Sequence, residues 1–190
     1  MTNNNGFVIW FTGLSGAGKS TLTEALAPLL KKRGCRVEVL DGDVVRTNLS
    51  KGLSFSKEDR DTNILRIGFV ANLLARNGVA VITAAISPYQ STREANRALI
   101  EGDGSAFIET YVAATLEECE ARDVKGLYAE ARAGKRTGFT GIDDPYEAPA
   151  NPEITLPTGT EPLEVSIDRI VDYLESRGLI PQPAFAGGNP

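Results

Sequence analysis

Apolar residues along this chain fall into short continuous runs that alternate with stretches of helical spacing. Phe7–Thr12 (FVIWFT) is rich in β-formers and bounded by Gly6 and Gly13, so it reads as a buried strand. From Ser20 the period changes: Leu22, Leu26, Leu29 and Leu30 share one helical face, and Gly34 supplies the stop. Pro28 inside that helix deletes one backbone hydrogen bond and predicts a kink rather than a break. A second strand is expected over 37–40, ending at Asp41-Gly42-Asp43 and followed by an irregular Gly/Ser/Lys stretch. Ile64, Ile67, Ala71 and Leu74 mark the next amphipathic helix, stopped at Asn77-Gly78. A third strand over 79–84 leads into a polar helix over about 91–100, and a fourth strand follows at 107–112. Thr115 and Glu118 form a capping-box pattern that starts a helix running to about Arg122. Ile154–Leu156 is a last short strand, and Leu163, Ile167, Ile170, Val171 and Leu174 define the closing helix.

Strand alternating with helix predicts an α/β fold of three layers, a mostly parallel sheet of about five strands covered on both faces. The chain reads as a single domain over residues 1–180, with a disordered tail at 181–190. Residues 125–152 are rich in Gly, Pro, Lys and Arg and carry only a short helix near 127–133; so long a connection inside a domain predicts a lid or binding loop. In such sheets ligands bind at the carboxyl ends of the strands. Residues 13–20, 41–43 and 86–87 therefore gather along one edge.

Composition narrows the chemistry. The 190 residues include 42% hydrophobic and 24% charged residues, ordinary for a globular domain. No apolar stretch approaches the roughly 18 residues needed to span a bilayer, and the N-terminus has no signal-peptide pattern, so a cytoplasmic location is expected. The net charge of −5 argues against nucleic acid or anionic membranes as partners. An anionic substrate would then require cations gathered locally. There is no histidine, which excludes His-based triads and His-ligated metals. Cys35 and Cys119 are too few for a disulfide scaffold or a zinc site and read as reduced packing residues.

Gly13-Leu-Ser-Gly16-Ala17-Gly18-Lys19-Ser20 fits G-x-x-x-x-G-K-[ST] directly between a strand and a helix. Its glycines let backbone N–H groups converge on phosphate oxygens at a helix N-terminus. Lys19 is expected at the β- and γ-phosphates and the Ser20 hydroxyl on Mg²⁺. This is the loop of P-loop nucleotide-binding folds. Asp-Gly ordinarily signals a turn or cap, the reading favoured for Asp41. Asp43, beside the phosphate loop, is favoured as a functional carboxylate: with no histidine, a base for an acceptor hydroxyl must be a carboxylate. Arg46, Arg60 and Lys125 each follow an element that should end at the same edge, and Arg136 lies in the expected lid. Any one of them is ordinarily a solvated side chain, but as a group they supply oxyanion ligands. Phe55 and Phe139 sit in Gly/Ser/Thr-rich loops, and the pattern leaves open whether they anchor on the core or clamp a planar base.

Taken in order, GLSGAGKST, DGDVVR, KGLSFSKEDRDTNI, ISPY, CEARDVKGLY and FTGIDDPYE resemble the adenylylsulfate (APS) kinase family over nearly the whole chain, from about Gly6 to Leu179. The resemblance implies transfer of the γ-phosphoryl group of ATP, with Mg²⁺, to the 3′-hydroxyl of adenosine 5′-phosphosulfate (APS), giving PAPS and ADP in sulfate assimilation. It places Gly13, Gly16, Ala17, Gly18, Lys19, Ser20 and Thr21 at the ATP phosphates, with Ser20 and Asp43 on the metal side. Asp43 becomes the base for the acceptor, and Lys125 approaches the transferring phosphate under a lid closing over 125–152. Arg46, Arg60 and Asn63, with backbone at Ile86 and Ser87, would hold the phosphosulfate and ribose; Phe55 and Phe139, with Gly138 beside it, would sandwich the adenine. Ser87 also matches a serine that can be phosphorylated in the family, though direct transfer requires no such intermediate. By analogy a homodimer and an association with ATP sulfurylase are expected. The chain departs from the family at Ser54, where glycine is common, and at the more basic Gly134-Lys-Arg-Thr137. Rival readings are a P-loop kinase for a sugar, shikimate or a nucleoside monophosphate, a regulatory nucleotide-sulfate-binding module, and a switch NTPase.

Overall fold

A computed structural model describes residues 6–182 of the chain. Five strands form one sheet: β1 (Phe7–Thr12), β2 (Val37–Asp41), β3 (Ala80–Ala84), β4 (Ala106–Val112) and β5 (Ile154–Leu156). They lie in the order β2-β3-β1-β4-β5, and every pairing is parallel. Parallel neighbours require crossovers, supplied chiefly by α1 (Lys19–Lys32), α3 (Lys57–Ala75), α4 (Gln90–Gly102) and the short α5 (Leu116–Arg122). Shorter α2 (Gly42–Asn48) and α6 (Leu127–Arg132) flank the site, and α7 (Leu163–Ser176) closes the chain.

The central strand shows how period two builds two cores. Phe7, Ile9 and Phe11 point to one face, where they meet Leu22, Leu26 and Leu30 of α1 and Ile167, Ile170 and Leu174 of α7. Val8 and Trp10 point to the other, against Ile64, Ile67 and Ala71 of α3 and Ile100 of α4. All six residues of β1 are buried, which explains why an uninterrupted apolar run rather than an alternating one encodes it.

Two elements differ from the sequence expectation. The stretch after Asp41 is helical, because the Asp41 carboxylate caps α2 by accepting from the Asp43 and Val44 N–H groups. Helix α3 begins well before Ile64, at Lys57, where the Ser56 hydroxyl accepts from Asp59 N. The Thr115–Glu118 capping box is present, and α1 continues through Pro28 without a break. The expected disordered tail lies largely outside the described residues, at 183–190. Among the described residues no helix is long and apolar enough to cross a membrane.

The sheet order reverses direction at β1: the chain leaves it toward β2 and β3 on one side and returns to β4 and β5 on the other. The crevice at that switch point opens beyond the carboxyl ends of the strands, and the site is there.

Candidate active site

The loop between β1 and α1 is shaped by glycines and by side chains that grip its carbonyls. A Cβ at Gly13 would lie 2.5 Å from Val112 O, and Gly18 caps α1 at φ 108°, a conformation that disfavours any side chain. No side chain caps α1 and no acid occupies its first turn, so its N-terminal N–H groups remain for a ligand. From outside, Arg122 donates to Gly16 O (3.2 Å) and Thr158 O (2.6 Å), Thr158 Oγ1 donates to Ala17 O (2.6 Å), and Tyr128 donates to Ser15 O (2.8 Å). Lys19 is buried, its Nζ donating to Gly13 O (2.8 Å) and Leu14 O (2.7 Å). Burial pulls its pKa down to about 8, only partly offset by Cys119 and the two aspartates, Asp41 and Asp43.

Asp41 is the cap, as its dipeptide suggested, which leaves Asp43 free of that duty on the exposed start of α2. Its Oδ2 accepts from Lys125 Nζ at 2.6 Å, and this hydrogen bond raises the lysine's pKa. The pair bridges one wall of the crevice to the start of the 125–152 segment.

The far end of the crevice carries the remaining expected residues. Arg46 donates to Leu53 O (3.3 Å) and Ser54 O (3.0 Å), with its guanidinium 4.4 Å from the centroid of the Phe55 ring. Phe55 is 55% exposed; Phe139 is only 8% exposed and packs edge-on against Tyr128 with centroids 5.0 Å apart. Phe139 therefore anchors on the core as well as lining the crevice, and Phe55 does not. Arg60 is a hub: it donates to Phe55 O (2.9 Å), Asp144 Oδ2 (2.7 Å), Thr140 Oγ1 and Gly138 O. One guanidinium thus ties the two phenylalanine-bearing loops together. Asn63 is buried in the wall with its Oδ1 unpartnered.

The floor is the β3–α4 connection. Ser87 has φ 49°, in the left-handed region that favours glycine. Its buried hydroxyl accepts from Trp10 Nε1 (3.1 Å), and its carbonyl accepts from Arg93 (2.7 Å). Part of the 125–152 segment is fastened to this floor. Glu147 N donates to Pro88 O (2.8 Å), Gln90 N donates to Glu147 Oε2 (2.7 Å), and the Thr12 and Tyr146 hydroxyls bond at 2.9 Å. Tyr89 donates to Asp144, and burial with that bond pushes its pKa up to about 12.

A single cavity of about 570 Å³ joins these parts. Lined by Gly16, Gly18, Lys19, Ser20 and Thr21 at one end, it reaches Asp43 and Lys125 midway. Arg46, Phe55, Arg60, Asn63, Ile86, Ser87, Gly138 and Phe139 line the rest. Of the expected residues, only Gly13 and Ala17 lie behind the lining, where they shape the loop. The sequence reading missed Arg93, Arg122, Tyr128, Thr140, Asp144, Tyr146 and Thr158. Arg122 and Tyr128 fall inside CEARDVKGLY, and Thr140, Asp144 and Tyr146 inside FTGIDDPYE, motifs that were recognised without a role for these residues; Arg93 and Thr158 carry no local signal.

A phosphate loop at a helix N-terminus, an acid–lysine pair beside it and a polar, ring-lined chamber beyond define the class: a P-loop kinase for a small acceptor. The adenylylsulphate kinase family model matches residues 5–157. The chain belongs to that family. It is 61% identical to an adenylyl-sulfate kinase of Picosynechococcus over 93% of this chain and 98% of the relative. It is 56% identical to a probable bifunctional SAT/APS kinase of Sorangium cellulosum, covering 96% of this chain and 31% of that one. Among solved structures it resembles the Mycobacterium tuberculosis APS kinase in complex with AMPPNP and APS, with a TM-score of 0.86 and 42% identity over 90% of this chain and 98% of that one.

Proposed function

We propose that this cavity transfers the γ-phosphoryl group of ATP to the 3′-hydroxyl of APS, releasing PAPS and ADP, with the residue roles that follow. The observation that carries the reading is the continuity of one cavity from the phosphate loop, past Asp43 and Lys125, to Phe55 and Phe139. ATP fits the donor end, where the N–H groups of α1 are uncapped and Lys19 rests on two carbonyls it can exchange for phosphate oxygens. Mg²⁺ fits as well: Ser20 and Asp43 are oxygen donors on the cavity wall, and magnesium ordinarily completes its shell with phosphate and water. When bound, it neutralises charge across the β- and γ-phosphates.

Asp43 accepts the proton of the attacking hydroxyl, and Lys125, now its partner, turns to the transferring phosphoryl group. Arg46 and Arg60 face the phosphosulfate. The unpartnered Asn63 Oδ1 is an acceptor suited to a ribose hydroxyl. Phe55 closes on the adenine against the fixed edge of Phe139. Ser87 enters through its backbone, since its hydroxyl is occupied by Trp10. Residues 132–137 form the moving part of the lid, because Tyr128 is held by Ser15 O and Phe139 on one side, and Asp144, Tyr146 and Glu147 are bonded to the floor on the other. Closure excludes water, the competing acceptor.

By family analogy we infer a cytoplasmic setting and a homo-oligomer, a dimer being the smallest form. A related APS kinase from Thiobacillus denitrificans is hexameric, and the bifunctional Sorangium relative supports an association with ATP sulfurylase. The test is ADP release from MgATP with APS, against shikimate, gluconate, AMP and no acceptor, with PAPS measured directly. APS-dependent ADP with equimolar PAPS supports the reading. Binding of APS without turnover would replace it with the regulatory module, and turnover on another acceptor would discard the substrate.

A further inference from the structure

Arg93, on the first turn of α4, carries a charge that no substrate contact explains. It is 2% exposed and stands behind the cavity wall rather than in it. Its Nε donates to Glu109 Oε1 of β4 at 2.7 Å, its Nη1 to Ser87 O at 2.7 Å and its Nη2 to Glu147 O at 2.7 Å. Glu109 balances the charge and is itself braced, its N–H donating to Glu153 Oε2 (2.7 Å). Glu153 in turn takes two bonds from Arg97 (both 2.8 Å). The guanidinium is thus neutralised and fixed at its root, and its other edge reaches two backbone carbonyls 60 positions apart in the chain (147 − 87).

The first carbonyl belongs to the cavity wall, and the second to the segment fastened against that wall at Pro88. Ser87 holds φ 49°, which an L-residue adopts only when its surroundings impose it. Here they do: Trp10 donates to the hydroxyl, and Arg93 donates to the carbonyl. The preceding carbonyl, Ile86 O, accepts from Thr12 Oγ1 (2.7 Å) and Gly13 N (3.3 Å). A planar trans peptide then turns the Ser87 N–H to the opposite side, away from the phosphate loop. Glu147, the second carbonyl, marks where the lid segment is fastened to the floor.

We propose that Arg93 is a positioning residue for the acceptor: by holding Ser87 O and Glu147 O from one fixed guanidinium, it sets the wall that orients APS and leaves the ATP end untouched. This rests on the proposed reaction. Arg93 does not touch the phosphate loop, so its effect divides between the two substrates.

The test is steady-state kinetics of the full chain with Arg93→Met and Arg93→Lys, together with calorimetric binding of MgATP. Arg93→Met should raise the KM for APS about 10-fold or more, with the MgATP Kd within about 2-fold of the parent. Arg93→Lys keeps a cation opposite Glu109 but cannot reach both carbonyls, so it should show the same split at smaller size. A merely structural arginine would lower the melting temperature and the active fraction while leaving both constants of the surviving enzyme alone. That result, or a parallel loss for both substrates, would overturn the proposal. Should Arg93→Met fail to fold, Arg93→Lys decides on the same criterion. If the parent protein makes no PAPS, the proposed reaction has failed; if it makes PAPS and neither variant shows the split, only the role of Arg93 has.

Discussion

Lys125→Met separates catalysis from stability at this site. Lys125 and Asp43 meet at 2.6 Å, with their side chains 62% and 80% exposed. At that separation two unit charges attract by about 1.6 kcal/mol at the dielectric of water, before side-chain entropy and salt are counted. Exposed pairs retain about 0–1 kcal/mol after those corrections. For a domain of this length a loss of that size moves the melting temperature by no more than about 4 °C. The same lysine, turned onto the transferring phosphoryl group in a closed and water-poor cavity, acts where each charge counts for more, and its loss should lower kcat about 100-fold or more. The assay pairs thermal melting with PAPS formation at saturating MgATP and APS, and with the MgATP Kd, which should stay within a few-fold. A large drop in melting temperature with kcat preserved would show that the pair is structural. Kinetics within about 3-fold of the parent would remove Lys125 from the mechanism.

Asp43→Asn should lower kcat by about 100-fold or more while MgATP binding remains measurable, because the amide keeps an oxygen donor but accepts no proton; normal turnover would end its assignment as base. Phe55→Ala, truncating an exposed ring, should raise the KM for APS more than that for ATP with little change in melting temperature. Phe139→Ala, by contrast, should cost about 3 kcal/mol or more of stability, since it opens a buried site against Tyr128; equal stability in the two variants would refute the division of roles. Lys19, with its pKa near 8 in the free protein, must be protonated to meet phosphate. Phosphate raises that pKa, so MgATP affinity should fall by about 10-fold from pH 7 to pH 9, with proton uptake on binding near pH 8; a flat calorimetric profile over that range would place the charge elsewhere.

What the sequence made legible is what local chemistry encodes. The phosphate loop has a fixed spacing, the strands of the buried sheet are apolar runs, and Thr115 with Glu118 announces a helix start four residues wide. The miss at α2 has the same origin: Gly42 and the β-branched pair Val44-Val45 are weak helix formers, and the helix exists because Asp41 caps it and Val45 is buried. The side chains that brace the site are invisible for a different reason. Thr158 meets Ala17 across 141 positions, Tyr128 meets Ser15 across 113, and Arg93 meets Glu147 across 54. No periodicity records such pairs. Phe139 shows the intermediate case: the sequence placed it at the cavity, and only packing revealed that it is also an anchor.

Those bracing contacts alter how an acidic protein handles anionic substrates. Three arginines near the cavity each join two segments of the chain through their backbone carbonyls. Arg122 reaches Gly16 O and Thr158 O, Arg60 reaches Phe55 O and Gly138 O, and Arg93 reaches Ser87 O and Glu147 O. Each fork takes two carbonyls from two separate loops, a task suited to a planar guanidinium with fixed donors. The two lysines are used differently. Lys19 rests on carbonyls at 2.8 and 2.7 Å, and Lys125 on a carboxylate at the exposed rim, each a compact charge on a flexible stem that a phosphate can draw away. Arginine fixes the geometry here and lysine moves within it. On that division, exchanging Arg60 for lysine conserves the charge and loses the clamp, and exchanging Lys125 for arginine conserves the charge and loses the motion.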